Sequence, residues 1–225
     1  MKMRERIILS AIQLFNKHGI TNVRVRDIAS DMSVSPGSIS YHFRNKGELM
    51  LEIYKYMLSS LNMAAIAERL ISGSSPMEIA RVYAEYVYRF RFFFQDTLEI
   101  VRAYPRIGRM HQTQSQTEIT TIKSIVYLAV GNGTLVPEPK PGLYAQLCEM
   151  AWMTLHFWFG RNIILGNVEE GIENALIFTT NLGDPYFTEK GRKDLQEFER
   201  RLRNYSSVSE VQAELDITVG SSQEG

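Results

Sequence analysis

Between positions 35 and 46 the chain reads SPGSISYHFRNK, which places Ser35, Pro36, Gly37, Ser38, Ser40, Tyr41, His42 and Lys46 within a few helical turns; Arg24 and Arg26 lie shortly upstream. These residue types suit recognition of a polyanion rather than bond-making. Serine hydroxyls are short donors for phosphate oxygens and base edges. Gly37 has no side chain, so a phosphate can approach its backbone closely. Tyr41 and His42 offer rings with polar tips for a sugar-phosphate backbone or a thymine methyl. Lys46 follows Asn45, a good helix N-cap, so its charge and the free N–H groups of a helix start can hold one phosphate together. Arg24 and Arg26 open a helix toward the flanking backbone. Tyr41 and Phe43 also fit a plain three-helix core, as found in proteins that never touch DNA.

The elements that position these groups follow from apolar spacing. Ile7, Ile8, Ala11, Leu14 and Phe15 share one helix face, and Gly19 suits the left-handed stop. A second helix over 25–31 turns Val25, Ile28 and Ala29 inward. Ser33, Val34 and Ser35 make a turn. Ser35 then caps a short third helix, 36–42, with Pro36 at its first position. A fourth helix runs from 46 to about 70, with Leu49, Ile53 and Met57 inward. Two short helices joined by a polar turn have the build of a helix-turn-helix DNA reader, about 24–43.

Charge supports that reading. The 225 residues carry 25 Lys/Arg and 25 Asp/Glu. Residues 1–47 hold eight of the former and three of the latter, a local balance of +5 against −5 in the remainder. A basic head on an acidic body suits contact with nucleic acid at one end only.

The residues Ile8, Ala11, Leu14, Phe15, Gly19, Val25, Asp27, Ile28, Ala29, Val34, Ser35, Gly37, Tyr41, His42, Phe43, Lys46 and Leu49 stand at a family's spacing without a gap. On them, residues 7–49 resemble the N-terminal domain of the TetR family of bacterial transcriptional regulators. The resemblance implies a third helix in the major groove. It also implies an all-helical fold, with a DNA-binding head at 1–48 and a larger effector-binding and dimerisation body at 49–205. A looser similarity to one subgroup lies in the aromatic-basic cluster from Tyr88 to Asp96. The chain departs from the family pattern at Val23 and Arg24, where two threonines are usual. It departs again at Ser33, where glycine is usual, and at Ser40, the first of two adjacent aromatics in relatives. The operator therefore cannot be borrowed from a relative.

Beyond a break at 72–76 (SGSSP) helical spacing continues over 77–94, 119–129, 143–165 and 168–182. Asp184 and Pro185 then cap a last helix ending near 205. The proline-rich loop 136–142 cannot be helical, and 206–225 reads as a disordered tail. The body is rich in aromatics, which suits an apolar pocket or an ordinary core. Tyr86, Phe90, Phe93, Phe94 and Trp152, with Arg102, His111, His156 and Gln95 as polar groups, are the candidate effector-binding residues. The run from Trp152 to Phe159 is apolar nearly all round and needs cover on more than one side. The family pairs two such helices across a two-fold axis, which makes Leu155, Phe159, Ile163, Ile172, Ala175, Leu176 and Thr179 the candidate dimer interface.

No metal-ligand spacing, nucleophile elbow or phosphate loop occurs, so no metal, cofactor or catalytic residue is expected. The lone Cys148 fits a buried thiol in a reducing cytoplasm. No stretch reaches the ~20 apolar residues of a membrane span. The expected protein is a homodimeric repressor released from a palindromic operator by a small apolar or amphipathic ligand. An activator of the same family is the alternative. A helical enzyme or a protein-interaction module is the alternative from another class.

Overall fold

The computed structural model describes residues 2–61, 86–167 and 172–204. They form helices α1 (Met3–His18), α2 (Val25–Asp31), α3 (Pro36–His42), α4 (Lys46–Ser60), α5 (Arg91–Gln95), α6 (Thr97–Ala103), α7 (Pro105–Gly131), α8 (Leu143–Leu165), α9 (Ile172–Asn181) and α10 (Glu189–Asn204). Residues 86–89 are also helical. The fold is all-α, and among the described residues the one extended pairing is an isolated bridge between Leu135 and Phe187. No helix among them is long and apolar enough to cross a membrane.

The chain divides into two compact units, Met1–Asn62 with Tyr86–Gln112, and Met63–Glu85 with Thr113–Gly225. In the first, Ile7, Ile8, Ala11, Ile12 and Phe15 of α1 are buried with Ile28, Ile39, Phe43, Leu49 and Ile53. Leu14 and Val25, expected inward, are only half-buried. Gly19 stops α1 at φ 77°, where its N–H reaches the Phe15 carbonyl at 2.9 Å.

Three boundaries differ from the sequence reading. The fourth helix ends at Ser60 rather than near 70; the stretch 62–70 lies outside the described residues. Ser59 and Ser60 both donate to the Tyr56 carbonyl at 2.8 Å, an alternative to continued helix bonding. The helix expected over 77–94 breaks at Phe90 (77–85 lie outside the described residues). Asn16 of α1 fastens that break, donating to the Arg89 carbonyl at 2.8 Å and accepting from the Phe92 amide at 3.0 Å. At the far end, Asp184–Tyr186 is a separate 3-10 turn, and Thr188 caps α10 by accepting from the Gly191 amide at 3.1 Å.

In the second unit α8 begins and ends on left-handed glycines, Gly142 (φ 83°) and Gly166 (φ 71°). Tyr144 ties down the proline loop, its hydroxyl donating to the Val136 carbonyl at 2.7 Å. Helix α7 is longer than its apolar residues suggest. Thr117, Thr120, Thr121 and Ser124 turn their hydroxyls back to the carbonyl four residues earlier, so polar residues ride on the helix without breaking it.

Candidate nucleic-acid interface

Helix α2 ends in a turn built from two backbone bonds. The Ser33 amide donates to Ser30 O at 3.0 Å and the Val34 amide to Ala29 O at 2.9 Å. This is the Schellman closure, and it needs a left-handed residue at position 33. Ser33 supplies it at φ 55°, the one non-glycine residue with positive φ among those described. Ser33→Gly is therefore expected to raise the unfolding free energy of this unit by about 1 kcal/mol; urea titration checks the direction.

Ser35 caps α3. Its Oγ accepts from the Ser38 amide at 3.2 Å and lies 3.0 Å from Ser38 Oγ. Ile39 and Phe43 anchor the helix from beneath, at 0% and 2% exposure. The opposite face is open: Ser35, Pro36, Gly37, Ser40 and Tyr41 are exposed, Ser38 and His42 half-buried. Tyr41 is 86% exposed, its ring edge-on to His42 at 5.2 Å. A Cβ at Gly37 would meet only Ser35 Oγ, at 3.7 Å, so nothing within the chain demands glycine there.

Arg24 and Arg26 are exposed at the start of α2. The Arg24 amide donates to Asp27 Oδ2 at 2.7 Å, and Arg26 Nε lies 3.7 Å from Asp27 Oδ1. Lys46 is placed differently from the sequence reading. Its Nζ donates to the carbonyls of Ile20 and of Val23, the latter at 2.7 Å, and lies 5.4 Å from the centre of the Phe15 ring. Burial pulls its ammonium below the ordinary lysine range, against the opposing pull of Glu99 and Asp27. In this structure Lys46 binds the α1–α2 loop where a phosphate contact was expected.

Arg4 is the residue sequence reasoning missed. From α1 its Nη1 donates to the His42 carbonyl at 2.9 Å, its Nη2 pairs with Glu52 at 3.0 Å, and its guanidinium lies 4.5 Å over the Phe43 ring. It thus caps the C-terminal end of α3 with a cation, where the helix dipole favours one. The signal available was only a basic residue one turn ahead of the apolar face.

The candidate effector residues fall into two separate groups. Tyr86, Phe90, Phe93, Phe94 and His111 lie in the first unit, all buried. They interlock, with Phe93 5.0 Å from His111 and 5.9 Å from Phe94, and Tyr86 5.3 Å from Phe90. Tyr54, absent from the sequence reading, joins them: its hydroxyl is 3.0 Å from His111 Nδ1. Burial lowers His111 to about 4. Arg102 is exposed, and Gln95 is half-buried. Trp152 and His156 lie in the second unit, their rings stacked at 4.4 Å.

Of the candidate dimer residues, Leu155, Phe159, Ala175 and Leu176 are buried within the chain itself. Thr179 is half-buried and Ile163 is 50% exposed. Ile172 starts α9; its side chain lies outside the described residues. Among the described residues, the exposed large apolar side chains of α8 and α9 are Met150, Met153, Phe157, Ile163, Ile164, Leu165 and Phe178. Burial pushes the Cys148 thiol up to about 11, which leaves it a poor nucleophile.

A capped short helix held from beneath, with an open polar-aromatic face and exposed arginines at the start of the preceding helix, defines a helix-turn-helix DNA-binding protein. Family descriptions agree: "Bacterial regulatory proteins, tetR family" matches residues 7–53, and "Bacterial transcriptional repressor" matches residues 55–195. The chain belongs to the TetR family of bacterial transcriptional regulators. Among curated relatives, the uncharacterized HTH-type transcriptional regulator YerO of Bacillus subtilis is 33% identical over 79 residues, covering 35% of this chain and 27% of that protein. The probable acrEF/envCD operon repressor of Escherichia coli K12 is 34% identical over 73 residues, 32% of each chain. The chain thus spans about a third of the length of the curated relatives it matches. A crystal structure of a TetR-family transcriptional regulator from Marinobacter aquaeolei VT8 superposes with a TM-score of 0.71 at 21% identity, covering 90% of this chain and 99% of that one. It is a likeness of fold.

Proposed function

We propose that this regulator is a homodimeric, cytoplasmic repressor that binds a palindromic operator and leaves it when a small apolar or amphipathic effector binds. The observation that carries the DNA half is the open face of α3. Tyr41, Ser40 and Gly37 are exposed on it, beside Ser35, whose hydroxyl caps the helix. The DNA-contacting set is Arg24, Arg26, Ser35, Pro36, Gly37, Ser38, Ser40, Tyr41 and His42. Lys46 belongs to it only if its amine leaves the loop carbonyls. The DNA-binding part is residues 1–48 and the regulatory part 49–205; residues 206–225 lie outside the described residues.

Repression is favoured by the description matched by residues 55–195 and by the Escherichia coli relative, itself named a probable operon repressor. The exposed apolar side chains of α8 and α9 support a dimer formed through those helices, because such a surface is costly to leave in water. One short helix reads few base pairs; two heads related by a two-fold axis read both halves of a palindrome, one groove repeat of about 34 Å apart. An effector that changes the head spacing weakens simultaneous docking, with a coupling typically worth ~1–3 kcal/mol.

The test is selection of bound sequences from a random DNA pool, followed by sedimentation and salt titration of the complex. The expected outcome is a palindromic consensus, a dimer at micromolar concentration, and affinity that falls steeply and log-linearly with salt. A stable monomer, or binding indifferent to salt, contradicts the proposal.

A further inference from the structure

One carboxylate in the second unit is buried, and among the described residues the side chains that donate to it are neutral. Glu118 of α7 is 5% exposed. Its Oε1 accepts from Gln114 Nε2 at 3.1 Å, and its Oε2 accepts from Trp152 Nε1 at 3.0 Å. An amide and an indole are neutral donors, and they leave the negative charge in place. Among the described residues the one titratable cation-former in range is His156, whose Nδ1 lies 3.8 Å from Oε2, beyond hydrogen-bond distance. Lys123, also on α7, pairs with Glu149 of α8 at 3.6 Å.

A charge removed from water needs a counter-charge, or it takes up a proton. Burial raises the Glu118 carboxyl above its ordinary range, against the opposing pull of the Gln114 and Trp152 hydrogen bonds. The surroundings are aromatic. Trp152 and His156 stack at 4.4 Å, and Phe157 stands edge-on to them at 6.3 and 6.0 Å. Phe157 is 40% exposed, and Trp152 and Gln114 are half-buried, so part of this aromatic cluster and one hydrogen-bond partner of the carboxylate reach solvent. Aromatic faces beside a desolvated carboxylate attract organic cations and repel anions.

We propose that Glu118, Trp152 and His156 form a subsite for an organic cation with apolar or aromatic substituents, so that the effector of this regulator is positively charged. The proposal rests on the ligand-responsive reading above and names the class of ligand.

Tetraphenylphosphonium and tetraphenylborate share size and shape and differ in sign, which makes them the probes. Binding of each to the full chain is followed by calorimetry and by tryptophan fluorescence. The phosphonium is expected to bind and quench, and the borate to bind at least about tenfold more weakly. Glu118→Gln keeps an acceptor for the Trp152 indole and is nearly isosteric; it should cut phosphonium affinity about tenfold, with Glu118→Asp restoring part of it. Thermal unfolding of each variant confirms that it folds. Equal binding of the two ions, binding of neither, or no effect of Glu118→Gln in a folded variant overturns the proposal. Operator binding is measured on the same samples without probe. Its absence would defeat the regulator reading while leaving the cation subsite standing.

Discussion

Phe15→Ala is expected to destabilise the first unit by about 3–5 kcal/mol, the usual cost of deleting a large buried ring. Phe15 is 0% exposed and meets the Phe92 ring at 5.5 Å. The Lys46 ammonium lies 5.4 Å from the same ring centre. A cavity here would loosen α1 against α5 and also remove a surface that the Lys46 amine lies over. That amine holds the α1–α2 loop through Ile20 and Val23. The same substitution should therefore weaken DNA binding indirectly, in step with the loss of folded protein. Urea denaturation followed by circular dichroism gives the magnitude. A change under about 1 kcal/mol would mean that Phe15 is not the centre of this core.

The second large effect is on affinity. Arg4→Ala should weaken operator binding about tenfold while leaving most of the helicity intact. A hydrogen bond from a charged donor is worth about 1.5–3 kcal/mol, and the partial exposure of Arg4 puts the expected loss at the low end, about one factor of ten. The effect is transmitted through α3, since Arg4 fixes the His42 carbonyl next to the exposed Tyr41. Two companions separate positioning from direct phosphate contact. Arg4→Lys should recover only part of the affinity, because a lysine lacks the fork that spans His42 O and Glu52. Glu52→Gln should also weaken binding if Arg4 positions α3. If Arg4 instead touches phosphate, releasing it from Glu52 should leave affinity equal or higher. Fluorescence anisotropy on selected operator DNA measures all three.

Much of the head was legible in the sequence because its signals are local. Gly19, Ser35, Pro36 and Asn45 are punctuation marks whose roles depend on the adjoining backbone, and the bounds of α2 and α3 match the spacing of Ile28, Ala29 and Ile39. Ser33 stood out as a non-glycine residue where the turn wants glycine, and its φ of 55° is the physical form of that mismatch. What escaped were contacts between distant positions. Arg4 reaches residue 42, Asn16 reaches residues 89 and 92, and Tyr54 reaches residue 111. No periodicity carries such pairings.

The body was harder for the same reason. An aromatic count cannot say which rings close on one another. Phe90, Phe93 and Phe94 pack into the unit that holds the head, whereas Trp152 and His156 pack in the other. The apolar stripe of α8 gave no direction either, since a helix that is apolar on every side has no preferred face to read. Its inward residues, Leu155 and Phe159, and its exposed ones, Met153, Phe157 and Ile164, are equally hydrophobic. Glu118 lies in a threonine-rich stretch, and its burial beside the Trp152 indole is visible only in the structure.

The most direct measurement compares wild type with Tyr41→Ala for binding to selected operator DNA, with thermal unfolding run on the same samples. Tyr41 is 86% exposed, so its removal should leave the unfolding temperature unchanged. A side chain that contacts the groove or its backbone is worth about 1–3 kcal/mol, so affinity should fall about tenfold or more. Unchanged affinity in a folded Tyr41→Ala protein would contradict the assignment of this face of α3 as the DNA-reading surface.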